Sequence, residues 1–385
     1  MYKIGTLNKI SPKGLAKLGD NYQITEEISE ADGILVRSFK MHDMEFAPCL
    51  KAIARAGAGV NNIPLDRCAE EGIVVFNTPG ANANAVKELV FAAIFAEARN
   101  LVKGVEWVNS LEPAGISEAV EKGKSNFAGT ELAGKKIAVI GLGAIGVSVA
   151  NTASDIGMNV IGYDPYMSVA SALHLYSSIK VTGDMNELLA DADYITVHIP
   201  ALADTKGMIN AETFAKLTKP VKLLNFSRAE IVNADDMEAA LAEGKISVYI
   251  TDFPTERFQS HPKVMNLPHL GASTEEAEEN CAMMAAEEIA DYLENGNIRN
   301  SVNFPACSMG APKAAGRIAI IHRNTNAGIT AITAACNELS VKIENMTAVT
   351  KGNYAYTLLD LDRSLSEAEA AKISFEGLIS VRIIK

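Results

Sequence analysis

Short apolar runs alternate with amphipathic stretches along most of this chain. The run from Ile137 to Ile140 has the length and β-branched content of a buried parallel strand, and an amphipathic segment with helical spacing follows it as far as Gly157. A second apolar run then begins at Asn159 and ends at Asp164. Strand, helix and strand in this order predict a βαβ unit of an open parallel sheet with helices on its faces.

The same alternation continues on both sides of that unit. Because the unit lies well inside the chain, the strands before it predict a separate domain with its own sheet, to which a long C-terminal helix returns. We therefore predict an α/β fold with two Rossmann-like open parallel-sheet domains, at residues 1–92 with 275–302 and at residues 93–274. The predicted strands lie at residues 2–7, 31–37, 51–59, 73–77, 137–140, 159–164, 194–199, 221–227, 247–253 and 264–267, and the main helices at 12–18, 210–217, 233–243 and 273–293.

The C-terminal part has a different pattern. Residues 303–316 are rich in Ala, Gly, Ser and Pro, a composition typical of a linker. Residues 317–385 then predict strand, helix, strand, strand, helix and strand. That βαββαβ order predicts a small ferredoxin-like domain.

Three glycines open the helix after the first strand of the central unit, at G-x-G-x-x-G spacing. Gly141 allows a tight turn, Gly143 lets backbone N–H groups approach a pyrophosphate, and Gly146 lets the helix lie close to the strand. Asp164 stands at the end of the second strand, where a carboxylate accepts hydrogen bonds from ribose hydroxyls and repels a 2′-phosphate. The order of these features predicts a site for NAD rather than NADP, although a glycine-rich turn without a nucleotide is the simpler alternative.

Composition narrows the possible partners. The formal net charge of −12 argues against nucleic acid or an anionic membrane, and no apolar run reaches the roughly 20 residues that span a bilayer. The five cysteines are scattered and form no C-x-x-C pair, so neither disulfides nor a zinc site is indicated, and no metal is expected. A reducing cytoplasm suits these features, and the N-terminus has no signal pattern.

Two arginines end predicted strands of the first sheet. Arg37 and Arg55, with Ser38, the loop from Ala58 to Asn61 and Asn82, fall beyond the carboxyl ends of strands, where open α/β sheets bind ligands. Guanidinium groups match phosphate or carboxylate bidentately, so this edge predicts an anion pocket. Solvated surface arginines remain the alternative.

Three later blocks carry a resemblance. Leu224 to Asn233, Asp252 to Glu256 and Leu267 to Thr274 resemble the signature blocks of the D-isomer-specific 2-hydroxyacid dehydrogenases, in that family's order. Residues 36–38 and 54–62 and the C-terminal segment resemble the branch of the family that oxidises 3-phospho-D-glycerate with NAD to 3-phosphohydroxypyruvate, the first step of serine biosynthesis. The resemblance covers nearly the whole chain, and we expect a homodimer or homotetramer.

The resemblance also assigns residues. It implies that Arg228 binds the substrate carboxylate and keto oxygen, that His269 is the general acid/base and that Glu256 is its partner. A histidine suits this task because it can take and return a proton at neutral pH. The further positions that it implies are Arg37 and Arg55 for a phosphate, Ser38, Ala58, Gly59 and Asn82 for the remaining substrate, and Gly141, Gly143, Ala144, Ile145, Gly146, Asp164, His198, Ile199, Pro200, Thr205, Asp252 and Gly271 for NAD.

Two positions depart from the family pattern. The usual aspartate before the Phe-Pro-Thr-Glu run would fall at Thr251, whereas this chain has Asp252, and one residue along a strand reverses the direction of the side chain. Ala229 replaces the usual glycine after the arginine, which is tolerated unless φ is positive there.

The C-terminal domain resembles the ACT domain, a module that binds amino acids at its dimer interface. His322 and Asn324 match the effector-binding pair of that domain, but Lys342 replaces an asparagine, and an ammonium group only donates hydrogen bonds and would repel the ligand's own ammonium. We therefore expect a module that pairs subunits, with weak or no inhibition by L-serine. The alternatives for the whole chain are a dehydrogenase for an unphosphorylated D-2-hydroxy acid and a non-enzymatic NAD-sensing scaffold.

Overall fold

The computed structural model describes all 385 residues and divides them into two compact units. The first unit comprises Met1–Ala81 and Glu275–Lys385, and the second comprises Asn82–Thr274. None of the helices combines the length and the apolar character needed to cross a bilayer.

The first unit contains a five-stranded, wholly parallel sheet. Its strands are short, and their order is β2-β1-β3-β4-β5, so the carboxyl ends of all five lie at one edge. The elements are β1 (Tyr2–Leu7), α1 (Pro12–Leu15), β2 (Tyr22–Thr25), a 3-10 turn (Ile28–Glu30), β3 (Gly33–Val36), β4 (Ala52–Arg55), α2 (Leu65–Glu70), β5 (Val74–Asn77) and the long helix α11 (Glu275–Asn295), whose number follows its place in the chain. Helix α11 packs on α1, β4 and β5, as the sequence predicted for the returning helix.

A second sheet completes the first unit. It is antiparallel, with the order β14-β15-β13-β16, and the predicted βαββαβ succession is confirmed. One face of this sheet belongs to the same apolar core as α11, and Phe304 and Cys307 from residues 303–316 are buried in that core. The elements are β13 (Gly316–Arg323), α12 (Gly328–Glu338), β14 (Ile343–Lys351), β15 (Tyr354–Leu361), α13 (Glu367–Ala370) and β16 (Leu378–Ile383).

The second unit is built on a seven-stranded parallel sheet with the order β12-β11-β10-β9-β6-β7-β8. The chain leaves β6 toward β7 and later returns to β9 on the other side of β6, which creates a topological switch point between β6 and β9. The elements are α3 (Ala83–Ala98), α4 (Leu101–Asn109), α5 (Ile116–Gly123), a 3-10 turn (Lys124–Phe127), β6 (Lys136–Ile140), α6 (Ala144–Asp155), β7 (Asn159–Tyr163), α7 (Val169–His174), β8 (Lys180–Thr182), α8 (Met185–Leu189), β9 (Tyr194–Val197), α9 (Ala211–Ala215), β10 (Val221–Asn225), a 3-10 turn (Ala229–Ile231), α10 (Ala234–Glu243), β11 (Ile246–Thr251) and β12 (Val264–Asn266).

Element ends differ from the predictions in a consistent way. Helix α6 ends as predicted, with Gly157 in the left-handed conformation at φ +83°. Eight of the ten predicted strands are shorter than their apolar runs, mostly because the last residues of the run turn into the loops at the sheet edge, whereas β1 has the predicted bounds and β6 begins one residue earlier. The structure adds β2 and β8, which the sequence did not predict. Helix α11 begins at Glu275 and ends at Asn295, two residues after each end of the predicted helix at 273–293.

Candidate active site

The turn between β6 and α6 contains three glycines with different neighbours. Gly141 has φ +90°, and a Cβ there would lie 2.6 Å from the carbonyl oxygen of His198. A Cβ on Gly146 would lie 1.8 Å from the carbonyl oxygen of Gly141. Gly143, in contrast, has no protein atom within 4 Å of its Cβ position. The fold itself therefore requires Gly141 and Gly146, whereas Gly143 borders open space.

The amino end of α6 faces that space. No side chain caps this helix, so the N–H groups of its first residues, Ala144 and Ile145 among them, and the positive end of its dipole are available to an anion. At the end of β7 the Asp164 carboxylate is half-buried and accepts hydrogen bonds from the N–H groups of Leu142 and Tyr166, both at 2.8 Å. Its remaining lone pairs lie beside the glycine turn. These groups fit the pyrophosphate and ribose of a dinucleotide.

The loop after β9 forms the other side of the switch point. His198 Nε2 lies 2.8 Å from Thr196 Oγ1, its Nδ1 has no partner, and burial lowers the pKa of the ring to about 3. The imidazole is therefore neutral at physiological pH and shapes the turn. Thr205 Oγ1 donates to the carbonyl of Pro200 at 2.6 Å and accepts from the N–H of Leu202 at 2.7 Å, while Ser227 Oγ donates to the carbonyl of Ile199.

Arg228 follows β10 on an exposed loop. Sequence reasoning missed Asn225, a fully buried amide at the end of β10: its Nδ2 donates to the Arg228 carbonyl at 2.8 Å, and its Oδ1 accepts from the Ser227 N–H at 3.1 Å. A buried-strand pattern that ends in an amide, Leu223-Leu224-Asn225, was the signal for this role. Ala229 begins a 3-10 turn and is not among the residues with positive φ, so it replaces a glycine without strain.

His269 follows β12, and its nearest aromatic neighbour is Phe253, whose ring centroid lies 4.9 Å from the imidazole centroid in an edge-on arrangement. Asp252, at the end of β11, is 2% exposed, and its Oδ1 has no hydrogen-bond partner. Burial raises the pKa of the Asp252 carboxyl. The charges of His269 and, to a smaller extent, Arg228 act in the opposite direction and lower this pKa. Glu256 is exposed and forms no ion pair with His269. The carboxylate beside His269 is therefore that of Asp252, whose Oδ2 would lie 3.7 Å from a Cβ on Gly271.

The first unit holds the two predicted substrate arginines at the ends of adjacent strands β3 and β4. Arg55 Nε donates to the Arg37 carbonyl at 3.0 Å, and a Cβ on Gly57 would lie 2.2 Å from Arg55 Nη1, so only glycine leaves room for this guanidinium. Arg37 Nη2 lies 2.6 Å from Glu278 Oε1 on α11. Sequence reasoning missed Glu278, because no local pattern links residues so far apart in the chain.

Neighbouring loops complete the edge of the first sheet. Asn77 Nδ2 donates to the Ala58 carbonyl at 2.6 Å, and the Gly57 N–H donates to Thr78 Oγ1 at 2.8 Å, which fixes the turn that carries Ala58 and Gly59. The Ser38 N–H donates to Asn8 Oδ1 at 2.9 Å. In the second unit, Asn82 precedes α3, and its buried Oδ1 has no partner.

The predicted effector pair lies in the C-terminal sheet. His322 is 3% exposed; its Nδ1 lies 2.8 Å from the Arg323 carbonyl and its Nε2 lies 3.2 Å from Thr357 Oγ1. Both ring nitrogens are thus engaged within the domain, and a Cβ on Gly328 would lie 2.6 Å from the imidazole. Asn324 is exposed and donates to the Gly352 carbonyl at 3.1 Å. Lys342 is also exposed.

A known protein family matches most of the second unit. Residues 91–271 match the model of the D-isomer specific 2-hydroxyacid dehydrogenase, NAD binding domain. This segment covers the glycine turn, Arg228 and His269.

Curated relatives extend the similarity. The chain is 36% identical over 292 residues to the D-3-phosphoglycerate dehydrogenase of Methanocaldococcus jannaschii, covering 74% of this chain and 54% of the relative. It is 32% identical over 331 residues to the enzyme of that name from Bacillus subtilis, covering 80% of this chain and 60% of the relative. The chain thus spans little more than half the length of these relatives.

A solved structure agrees with the fold. The NAD⁺-bound 3-phosphoglycerate dehydrogenase of Entamoeba histolytica is similar with a TM-score of 0.61 and 27% identity, covering 78% of this chain and 98% of that one. A glyoxylate reductase at 20% identity has a TM-score of 0.64 and shows the shared fold alone.

Proposed function

We propose that the protein oxidises 3-phospho-D-glycerate to 3-phosphohydroxypyruvate with NAD, since its residues 91–271 match the NAD-binding domain of the D-isomer specific 2-hydroxyacid dehydrogenases. One observation carries the proposal. Arg228 and His269 follow β10 and β12, strands of the same parallel sheet as β6, so both residues lie at the sheet edge that bears the glycine turn. A cation and a proton acceptor beside a dinucleotide site are the groups that hydride removal from an alcohol requires.

The chain's own residues would divide the work as follows. His269 takes the hydroxyl proton of the substrate through its ring nitrogen, and a negative charge on Asp252 would stabilise the imidazolium that results. Arg228 binds the substrate carboxylate and polarises the carbonyl as it forms. Bound NAD supplies the hydride acceptor, and the open space at Gly143, the amino end of α6 and Asp164 would hold it.

The substrate assignment rests on the first unit. Arg37 and Arg55 lie at adjacent strand ends and would bind the phosphate, and the N–H groups of the turn at Ala58 and Gly59 would bind the carboxylate. The phosphoglycerate dehydrogenases to which the chain is similar support this substrate. Oxidation of 3-phosphoglycerate would begin the phosphorylated route to serine.

The test is an absorbance assay for NADH with a panel of D-2-hydroxy acids, phosphorylated and unphosphorylated. We expect 3-phosphoglycerate to give the highest kcat/KM, and His269→Ala to abolish turnover while NAD binding, measured by calorimetry, stays near the wild-type value. His261→Ala is the matched control, because His261 lies in the loop before β12. Wild-type rates for His269→Ala would remove the proposed base.

The ion pair of Arg37 with Glu278 favours a second candidate. An arginine already matched by a carboxylate offers less charge to a phosphate, so a dehydrogenase for an unphosphorylated D-2-hydroxy acid is the alternative. The same panel separates the two, since Arg55→Ala should raise KM for phosphoglycerate far more than for an unphosphorylated substrate.

We also propose that the protein works in the cytoplasm as a homodimer or homotetramer, without a nucleic-acid or membrane partner. Exposed apolar side chains on α4 and α5, among them Leu101, Val105 and Ile116, support self-association. Sedimentation equilibrium would measure the oligomeric state.

A further inference from the structure

The first unit contains a cavity, partly open to solvent, between its two sheets. It measures about 200 Å³, whereas one water molecule occupies about 30 Å³ of liquid. The turns that precede β4 and β5 form one wall, α11 forms another, and β13, β15 and β16 of the C-terminal sheet form the rest. Gly72 brings these parts together, since a Cβ there would lie 3.1 Å from Ile379 and 3.4 Å from Ser380 Oγ.

Arg382 on β16 is the distinctive residue of this cavity. Its Nη1 donates to the Leu293 carbonyl at 3.0 Å, its Nη2 donates to the Tyr292 carbonyl at 2.6 Å, and its guanidinium carbon lies 4.2 Å from the centroid of the Tyr292 ring. Those contacts fix the guanidinium in place. Its Nε is buried and has no partner, and Arg382 forms no ion pair. The Arg382 guanidinium thus places a fixed positive charge, without a carboxylate partner, in the wall of the cavity.

The other charged groups of the wall are already matched. Lys51 pairs with Asp32 and donates to the Cys49 carbonyl, and Glu71 lies 3.8 Å from Arg67. The remaining surface offers the Ser380 hydroxyl, the aliphatic side chains of Ala319 and Ile321, and the rings of Tyr292 and Tyr356. One unmatched cation, one hydroxyl and an apolar wall in this volume are complementary to a singly charged anion with a short aliphatic part.

We propose that this cavity is a binding site for a small monocarboxylate, with the carboxylate beside the Arg382 guanidinium and accepting from Ser380 Oγ. A phosphate fits less well, because its second charge would have no cation to match it. The site is distinct from the candidate substrate residues: Lys51 lies before the amino end of β4, and Arg55 lies at the carboxyl end of the same strand.

Titration of the full chain with propionate, followed by ligand-observed NMR at constant ionic strength, tests the proposal. Arg55 and Arg228 could also bind a carboxylate, so the reference protein is the variant Arg55→Ala/Arg228→Ala. We expect saturable binding of propionate and none of propionamide, its neutral isostere. Adding Arg382→Met should weaken propionate binding about tenfold or more, the usual value of a hydrogen bond to a charged group.

Arg323→Met is the matched control, because Arg323 lies on the same sheet, stacks on Tyr354 at 4.8 Å and is outside the cavity. We expect it to leave binding unchanged. If circular dichroism shows that Arg382→Met disturbs folding, Ala319→Leu takes its place in the test. The larger side chain fills the cavity and should block propionate binding. Equal binding of propionate and propionamide, an equal loss in the two arginine variants, or propionate binding retained by Ala319→Leu would each overturn the proposal. None of these readouts depends on turnover, so they are separate from the proposed dehydrogenase activity.

Discussion

Two carboxyl groups, those of Asp252 and Glu256, are candidates for the partner of His269. The resemblance placed the partner carboxylate of His269 at Glu256, which the structure leaves exposed, whereas Asp252 is buried with one oxygen unpartnered. A buried carboxylate interacts with a nearby imidazolium more strongly than an exposed one, because less water screens the two charges. The geometry therefore favours Asp252.

A pair of variants distinguishes the two carboxylates. Asp252→Asn removes the negative charge that stabilises the imidazolium, so the acidic limb of the kcat/KM profile should move to lower pH by about one unit, equivalent to about 1.4 kcal/mol. Glu256→Gln should leave that limb in place. Profiles of NADH formation between pH 5 and pH 10 measure both, and a shift confined to Glu256→Gln would restore the role implied by the resemblance.

The ion pair between Arg37 and Glu278 gives a second prediction. Both side chains are more than a third exposed, so the pair stabilises the fold by no more than about 1 kcal/mol and a phosphate can replace the carboxylate. Glu278→Gln should lower KM for phosphoglycerate by up to about fivefold, with kcat little changed. Glu279→Gln is the control, because Glu279 pairs with Lys13 instead. An unchanged KM for phosphoglycerate in Glu278→Gln would show that Arg37 does not bind the phosphate of the substrate.

At the scale of elements, the turn from β6 to α6 separates structural from ligand-binding glycines. Gly143→Ala adds a Cβ where the protein leaves open space, so the thermal midpoint should change little while NAD affinity falls steeply. Gly146→Ala places a Cβ against the Gly141 carbonyl and should lower the midpoint as well. Differential scanning fluorimetry and NAD calorimetry measure both effects. Normal NAD affinity in Gly143→Ala would mean that the pyrophosphate lies elsewhere.

This turn also shows what the sequence could predict. The β6–α6 motif and its acid Asp164 are local patterns of apolar periodicity and glycine spacing, and the structure reproduces them. Strand β2, Tyr22–Thr25, has only two half-buried ends and lies at the sheet edge, so its apolar signal was too weak. The pairing of Arg37 with Glu278 and the cavity at Arg382 depend on contacts between distant segments, which no local pattern encodes.

Helix α11 carries a buried acid that predicts pH-dependent stability. Glu288 is 6% exposed, its Oε2 has no partner, and burial raises its pKa to about 7. Between the ordinary pKa of 4.5 and about 7 the folded chain keeps a proton that the unfolded chain loses, so this group makes stability fall as pH rises through that window. Glu288→Gln removes the effect.

Relative to the wild type, Glu288→Gln should therefore gain more stability at pH 8 than at pH 5, where the wild-type carboxyl is largely protonated. Urea unfolding at the two pH values measures the difference. Glu287→Gln is the control, because Glu287 is adjacent and exposed. This variant loses an exposed ion pair with Lys17, and its change in stability should be the same at the two pH values. An equal gain at both pH values would contradict the assignment.

At the scale of the whole molecule, the C-terminal sheet is an integral part of the first unit. Ala319, Ile321, Tyr356 and Leu358 share one apolar core with α11 and with the parallel sheet. The buried ion pair of Arg317 and Asp360 also links the C-terminal sheet to α11, because Arg317 Nη1 donates a hydrogen bond to the carbonyl of Asn295 at the end of that helix. A tail with a purely regulatory role would not need this shared core.

Deleting residues 316–385 should therefore destabilise the first unit, because it exposes the face of α11 that the C-terminal sheet covers. A milder variant isolates the contact: Tyr356→Ala removes a buried ring beside Tyr292 and a hydroxyl that donates to the Gly296 carbonyl at 2.6 Å, and it should cost about 3–5 kcal/mol. Tyr166→Ala, at a tyrosine that is 83% exposed in the second unit, is the control and should change stability little. Urea unfolding followed by circular dichroism, with NAD added to identify the transition of the second unit, assigns each loss to its unit. If the truncated chain unfolded at the wild-type urea midpoint, the C-terminal sheet would be a separable domain after all, and the cavity at Arg382 would lie in an interface that can open.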